Sequence, residues 1–390
     1  MAARRPADMV PGFVAGLAGL LEAPSGERLA GLVSSPGRDG WAVLQRVITI
    51  HGLAPHLFRS VPGAELSAAL GQPAHDWLAE QDALNARRIE RMHGELAAIL
   101  RAAADVDIEV MPLKGALLTT MPGTDPHRRP MADLDLLIRP EARRQVGTVL
   151  EGLGYLWQPE ANPRPTHDVY LGAGGGSVVS IDEHPDNPRP VEIHLEAMRH
   201  LWPWMDDDYL TPALWSGGRR DAILGQPATV PDDSALLAHL AIHATADLLV
   251  GRGRLIQWLD LGQVAARGVV LGGVPHPRLA YPALRLARRA LPRMMAGVAI
   301  EDLEASVPRR LARWASTVPF DRRCGLMVDR QPVTPSSLAA RVGRWAPVPW
   351  RLLVAYGDRP QPLALALHAR MLVSRWRARS RYRALHPEGG

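Results

Sequence analysis

Two short apolar runs, Ile108-Glu109-Val110-Met111-Pro112-Leu113 and Asp133-Leu134-Asp135-Leu136-Leu137-Ile138, flank a turn-rich connector that holds Arg128 and Arg129. Runs of this length, bounded by Gly and Pro, read as buried strands. The second carries two carboxylates spaced two apart. Side chains alternate along a strand, so Asp133 and Asp135 project from one face, about 6.6 Å apart along the chain, while Leu134 and Leu136 enter a core. Two acids on one face raise each other's pKa unless a cation lies between them. Carboxylate oxygens suit Mg²⁺, which is held by one or two carboxylates, several waters and substrate phosphates. The strand reads as a shelf for Mg²⁺ (or Mn²⁺) beneath a phosphate-bearing substrate.

Lys114-Gly115 ends the first run. Gly permits a tight strand exit and close approach of a phosphate, and a helix opening at Ala116 presents amides to an anion. Lys114 is the only lysine in a chain whose 45 basic residues are otherwise all Arg. A compact ammonium is a common phosphate partner, and Arg does not substitute for it freely.

The order LKG, then an Arg-bearing connector, then M-x-D-L-D-L-L-I resembles the uncharacterised bacterial nucleotidyltransferase family of the DNA polymerase beta-like superfamily. Its members recur beside biosynthetic clusters for modified peptides and surface polysaccharides. The superfamily's usual signature is a Gly-Ser turn before D-x-D; here Gly115-Ala116 stands in its place, without the hydroxyl. The resemblance implies an α+β protein, with a small mixed-sheet, polymerase beta-like palm core between N- and C-terminal helical regions. It also implies a third acid on a neighbouring strand. In Val191-Glu192-Ile193-His194-Leu195-Glu196, alternation sets Glu192, His194 and Glu196 on one face. Glu192 matches the third acid that the resemblance implies, able to hold a second metal or to act as general base; His194 orients a carboxylate or touches substrate. The bland alternative is a solvated polar face on an edge strand.

The pattern divides the chain into four regions: helical residues 1–103, a stretch of short strands and turns at 104–205 that the resemblance marks as the nucleotidyltransferase core, a linker rich in Pro, Gly and Asp at 206–231, and helical residues 232–390 with a basic tail. Helices are expected over Trp41–Pro55, stopped by Gly52 and Pro55, over Asp76–Ala103, and over Glu141–Gly154. His167–Leu171 and Ser177–Ile181 read as a hairpin across a Gly-rich tip. His51 and His56 read as packing residues, Asp206 to Asp208 as helix caps, and Arg254–Asp260 as an ion pair. His239 and His243 share a helix face, but no HExxH glutamate accompanies them, so zinc is disfavoured.

Apolar runs are broken well before eighteen residues, so no spanning helix is indicated. After the basic start, Asp8 and Pro11 interrupt the apolar stretch, which favours an amphipathic helix over a secretion signal. The lone Cys324 allows no intrachain disulfide and fits a reducing cytoplasm. The net charge of +5 does not demand nucleic acid. The tail Arg370–Arg383 reads as a solvated cationic helix end in preference to a contact with an anionic membrane, RNA or an acidic peptide.

The reading is a Mg²⁺-dependent nucleotidyltransferase. Asp133, Asp135 and Glu192 hold the metal and carry the chemistry, while Lys114, Gly115, Arg128, Arg129 and His194 bind the nucleotide. An NTP, with ATP the favoured donor, passes its NMP group to a peptide, sugar or other small-molecule acceptor and releases pyrophosphate. The alternative is a non-catalytic nucleotide- or peptide-binding member acting in regulation or assembly. Transfer of a γ-phosphate is less well supported, because no Gly-rich nucleotide loop is present.

Overall fold

Both apolar runs form strands, Val110–Pro112 (β1) and Leu134–Ile138 (β2). Tyr155–Trp157 (β3), His167–Gly172 (β4) and Val191–His194 (β5) complete a five-stranded sheet in the order β1-β2-β5-β4-β3. The computed structural model describes residues 6–34, 38–159, 167–172, 178, 184–197, 208–271, 277–329, 362–366, 369–370 and 373. The tail from 374 onward, and the expected second hairpin arm apart from residue 178, lie outside the described residues.

The sheet is mixed. β2 runs parallel to β5, whereas β1–β2, β4–β5 and β3–β4 are antiparallel. All five residues of β2 are buried, as expected of a strand covered on both faces. In register, Asp135 stands opposite Glu192 and Leu137 opposite His194. That pairing sets the shelf.

Six helices precede the sheet: Pro6–Glu22 (α1), Gly26–Ser34 (α2), Arg38–His51 (α3), Ala54–Ser60 (α4), Gly63–Leu70 (α5) and Gln72–Ala104 (α6). The stop expected at Gly52 is present, with a φ of 69° that favours glycine. α6 is longer than its periodicity predicts, spanning 33 residues. Its apolar side, including Ile89, Met92, Leu96 and Ile99, enters the main core. Its polar side hooks the loops that feed the shelf. Asn85 donates to the His127 carbonyl at 2.6 Å, and Glu95 pairs with Arg189 at 2.6 Å. Arg88, 1% exposed, donates to Met131 O and Ala132 O at 2.7 Å each, and to His184 O, Asn187 O and Pro188 O at 2.9–3.1 Å. One guanidinium thus ties the entry to β2 to the entry to β5.

Lys114–Leu118 (α7) follows β1, and Arg143–Gly152 (α8) follows β2 after a single 3-10 turn. Where a linker is expected, the chain forms Leu210–Ser216 (α9) and a hairpin of Arg219–Ile223 (β6) and Gln226–Val230 (β7). Asp208 caps α9, accepting from the amides of Leu210 and Thr211 at 3.1 and 3.0 Å. Then come Asp233–Val250 (α10), Leu255–Ala265 (α11), Pro277–Ala290 (α12), Ile300–Glu304 (α13), Arg309–Thr317 (α14) and Phe320–Asp329 (α15). Asp232 caps α10 through the Ala235 amide at 2.7 Å. No described helix is long and apolar enough to cross a membrane.

His51 joins the two helical regions. Its Nδ1 accepts from the Leu255 amide at 3.1 Å, and Arg254 Nε donates to Ile50 O at 2.8 Å. Burial, reinforced by Arg254, lowers the His51 pKa to about 3; burial, reinforced by Arg128, lowers that of His56 to about 4. Their unfolded pKa is near 6.5, so below about pH 6.5 the unfolded chain binds more protons than the folded one. Stability therefore falls as pH drops from about 6.5 towards the folded values, by about 1 kcal/mol per pH unit for each such histidine. Chemical denaturation between pH 7 and 4 reads this loss, and His51→Gln removes its share, leaving that of His56.

Candidate functional site

Asp133 immediately precedes β2 and Asp135 lies within it, while Glu192 lies across the parallel pairing. One carboxylate oxygen from each of the three lies within 4.8 Å of the others. Glu192 therefore sits beside the aspartate pair, as alternation and resemblance lead one to expect. Lys114 completes the group, with its Nζ 2.8 Å from Asp135 Oδ1. His194 Nε2 lies 2.8 Å from the same oxygen.

Burial opposes the charge on Asp135, but Lys114 and the His194 hydrogen bond outweigh it and hold the carboxyl well below the usual range. Burial likewise pulls Lys114 towards neutrality. Asp135, then Asp133 and Glu192, reverse that pull and hold its pKa above the ordinary lysine value. Three carboxylates against one ammonium leave two negative charges. The donor set is all oxygen, and that surplus matches a divalent cation, so the residues present fit Mg²⁺ or Mn²⁺.

Lys114, not Gly115, takes the left-handed conformation, at φ 46°. Non-glycine residues there cost about 1–3 kcal/mol and cluster at functional sites. Gly115 is required for another reason. A Cβ would lie 2.8 Å from Met131 Cγ and collide with the Arg129 guanidinium. Gly115→Ala is therefore expected to cost about 1–3 kcal/mol and to displace Arg129, read as a lower melting temperature. The helix that Lys114 opens has only five residues, too few for an appreciable macrodipole.

Arg129 reaches the acids from the connector. Both oxygens of Asp260 on α11 accept from it, at 2.8 Å each, and Asp133 and Asp135 also act on its charge. The bidentate partner of Asp260 is thus Arg129, in place of the expected Arg254, which turns to Ile50 O instead. Arg128 lies to one side, donating to Arg59 O at 3.1 Å and sitting 3.5 Å from Asp125.

Two residues join the site that the sequence alone does not single out for it. His167, the first residue of β4, stands opposite His194 in the β4–β5 pairing, and its Nε2 is 2.9 Å from Glu192 Oε2. Its signal is only the run His167–Leu171 read as a strand; the pairing that brings it to His194 leaves no local trace. His239 on α10 is fully buried, and neither of its ring nitrogens has a hydrogen-bond partner. Burial and then the charge of Lys114 lower its pKa to about 3. The same two causes lower His243, one turn along.

A mixed sheet with three acids gathered at adjacent parallel strands, flanked by helices, defines a nucleotidyltransferase-like core. The chain belongs to the uncharacterised nucleotidyltransferase family, whose model matches residues 38–269, more than half of its length. It is accordingly a nucleotidyltransferase. The matched span includes every residue of the site, together with α10 and α11 above it. No curated protein and no solved structure matches the chain.

Proposed function

We propose that the protein transfers an NMP group from an NTP, with ATP the favoured donor, to a small-molecule or peptide acceptor and releases pyrophosphate. The observation that carries this reading is the convergence of Asp133, Asp135 and Glu192 within 4.8 Å, beside a single ammonium. The three acids would hold Mg²⁺ or Mn²⁺. A bound divalent ion supplies charge neutralisation at the triphosphate and at the leaving pyrophosphate.

The chain's own groups do the rest. Lys114 places a positive charge at the metal shelf, held there by Asp135, and Arg129 adds a second on the connector side. Arg128, from its place beside Asp125, is the weaker candidate for the phosphates. Gly115 acts indirectly, leaving room for Arg129 and Met131 beside the shelf. Glu192, half-buried with its Oε2 2.9 Å from His167 Nε2, would accept the acceptor's proton if it is not committed to metal. His194 orients Asp135. Transfer of this kind relies on positioning and on preorganised charge.

A second reading, nucleotide binding without turnover, has one observation in its favour. Ala116, where the superfamily carries a hydroxyl, is 1% exposed and packed in the core. Incubating the purified protein with α-labelled NTPs and Mg²⁺, alongside products of genes neighbouring its own, separates the two. Label in an acceptor with release of pyrophosphate supports transfer. Saturable binding with no pyrophosphate and no labelled acceptor supports the binding-only reading.

A further inference from the structure

We propose that His167, Glu192 and His194 form a second metal site on the same shelf, one that takes a nitrogen-accepting divalent transition ion such as Mn²⁺, Co²⁺ or Zn²⁺. The inference shares Glu192 with the reading above, but its ring nitrogens carry it independently of any nucleotide.

The backbone builds the group. His167 and His194 are directly opposed in the antiparallel β4–β5 pairing, so their side chains leave the same face of the sheet. Their rings stack with centroids 4.6 Å apart and planes 30° from parallel. Glu192 precedes His194 by two residues and therefore shares that face. His167 Nε2 lies 2.9 Å, and His194 Nε2 3.7 Å, from Glu192 Oε2. One ligand atom from each of the three lies within 4.8 Å of the others. Ligands about 2.0–2.2 Å from a common ion lie roughly 3 Å apart, so small adjustments close the set.

Burial and chemistry agree with this. The His194 side chain is fully buried and that of His167 is 9% exposed, whereas Glu192 remains 23% exposed. The nitrogen donors are thus held in place, and the carboxylate edge is the open one. Imidazole nitrogen favours first-row transition ions over Mg²⁺, which prefers an all-oxygen shell. Glu192 belongs to both ligand groups, and a shared carboxylate suits two ions about 3.5–4 Å apart. Asp135 and Lys114 are among the polar neighbours. His194 Nε2 would exchange its contact with Asp135 Oδ1 for the ion, while Lys114 keeps Asp135 engaged at 2.8 Å. The competing arrangement is a set of hydrogen bonds in which the two rings only position Glu192 and Asp135.

The test uses the full chain, freed of metal by dialysis against chelator and loaded with Co²⁺ alone, with no nucleotide present. X-ray absorption at the cobalt edge is recorded for the wild type and for Asp133→Asn, which weakens the all-oxygen site. We expect imidazole scattering from two nitrogens in both, and Co²⁺ affinity reduced roughly tenfold or more in His167→Gln. A cobalt spectrum with oxygen ligands only, or no Co²⁺ binding by the wild type, leaves the hydrogen-bonded triad alone and overturns the proposal. The wild-type spectrum decides even if His167→Gln does not fold. Imidazole-ligated cobalt in a protein that never transfers nucleotide would keep this inference and sink the transfer reading. Mg²⁺-dependent transfer without imidazole ligation would do the reverse.

Discussion

Asp133→Asn is expected to lower nucleotidyl transfer by about 10³-fold or more while the fold persists, since a preorganised charge at the reacting phosphate is lost. Asp133 is the cleaner of the two aspartates to change. It sits half-buried at the mouth of β2, and the amide preserves its shape. Asp135→Asn should lose at least as much activity, but it also removes the carboxylate that Lys114 and His194 both contact. Taking away one partner of a buried ion pair costs about 3–5 kcal/mol, here moderated because Asp133 and Glu192 still act on Lys114. Activity must therefore be read beside a denaturation curve for each variant. Near-wild-type turnover by folded Asp133→Asn would remove that residue from the metal assignment.

Arg88→Met should be the most damaging single change to stability outside the apolar core. Five backbone carbonyls, from two loops, accept from this one buried side chain. Methionine fills much of the volume but donates to none of them, and a buried acceptor left unsatisfied costs about 1–3 kcal/mol. The costs do not add, because the more open carbonyls can find water. We expect a loss of about 3–5 kcal/mol in urea or thermal unfolding. Activity should fall as well, since residues 131–132 and 184–188 set the entries to β2 and β5. An unchanged midpoint would show that the two loops hold their places without the guanidinium.

Features with a local period are legible in the chain itself. Alternation places Asp133 with Asp135 and Glu192 with His194, because strand geometry repeats every two residues. The 3.6-residue pattern announces α6. Polar contacts between distant segments are not legible in this way. Arg88 has the composition of a solvated helix charge, and only the path of the loops around α6 makes it a clamp. Arg129 and Asp260 meet across 131 positions, whereas the expectation of an Arg254–Asp260 pair rests on proximity in sequence alone. Arg254 is instead spent at the start of α11, on Ile50 O. Gly115 stands out in the sequence, but its role differs from the one its position suggests. The strained backbone belongs to Lys114, and the glycine clears space for Arg129 and Met131.

In the proposed mechanism, three acids at β2 and β5 bind a divalent ion that in turn holds a triphosphate. Calorimetric titration of NTP into the wild type and Asp133→Asn, each with Mg²⁺ and each with chelator, tests it most directly. NTP is expected to bind the wild type only when the ion is present, and that binding is expected to be lost in the variant. Equal affinity with and without the ion, or an unchanged Mg²⁺-dependent affinity in folded Asp133→Asn, would contradict it.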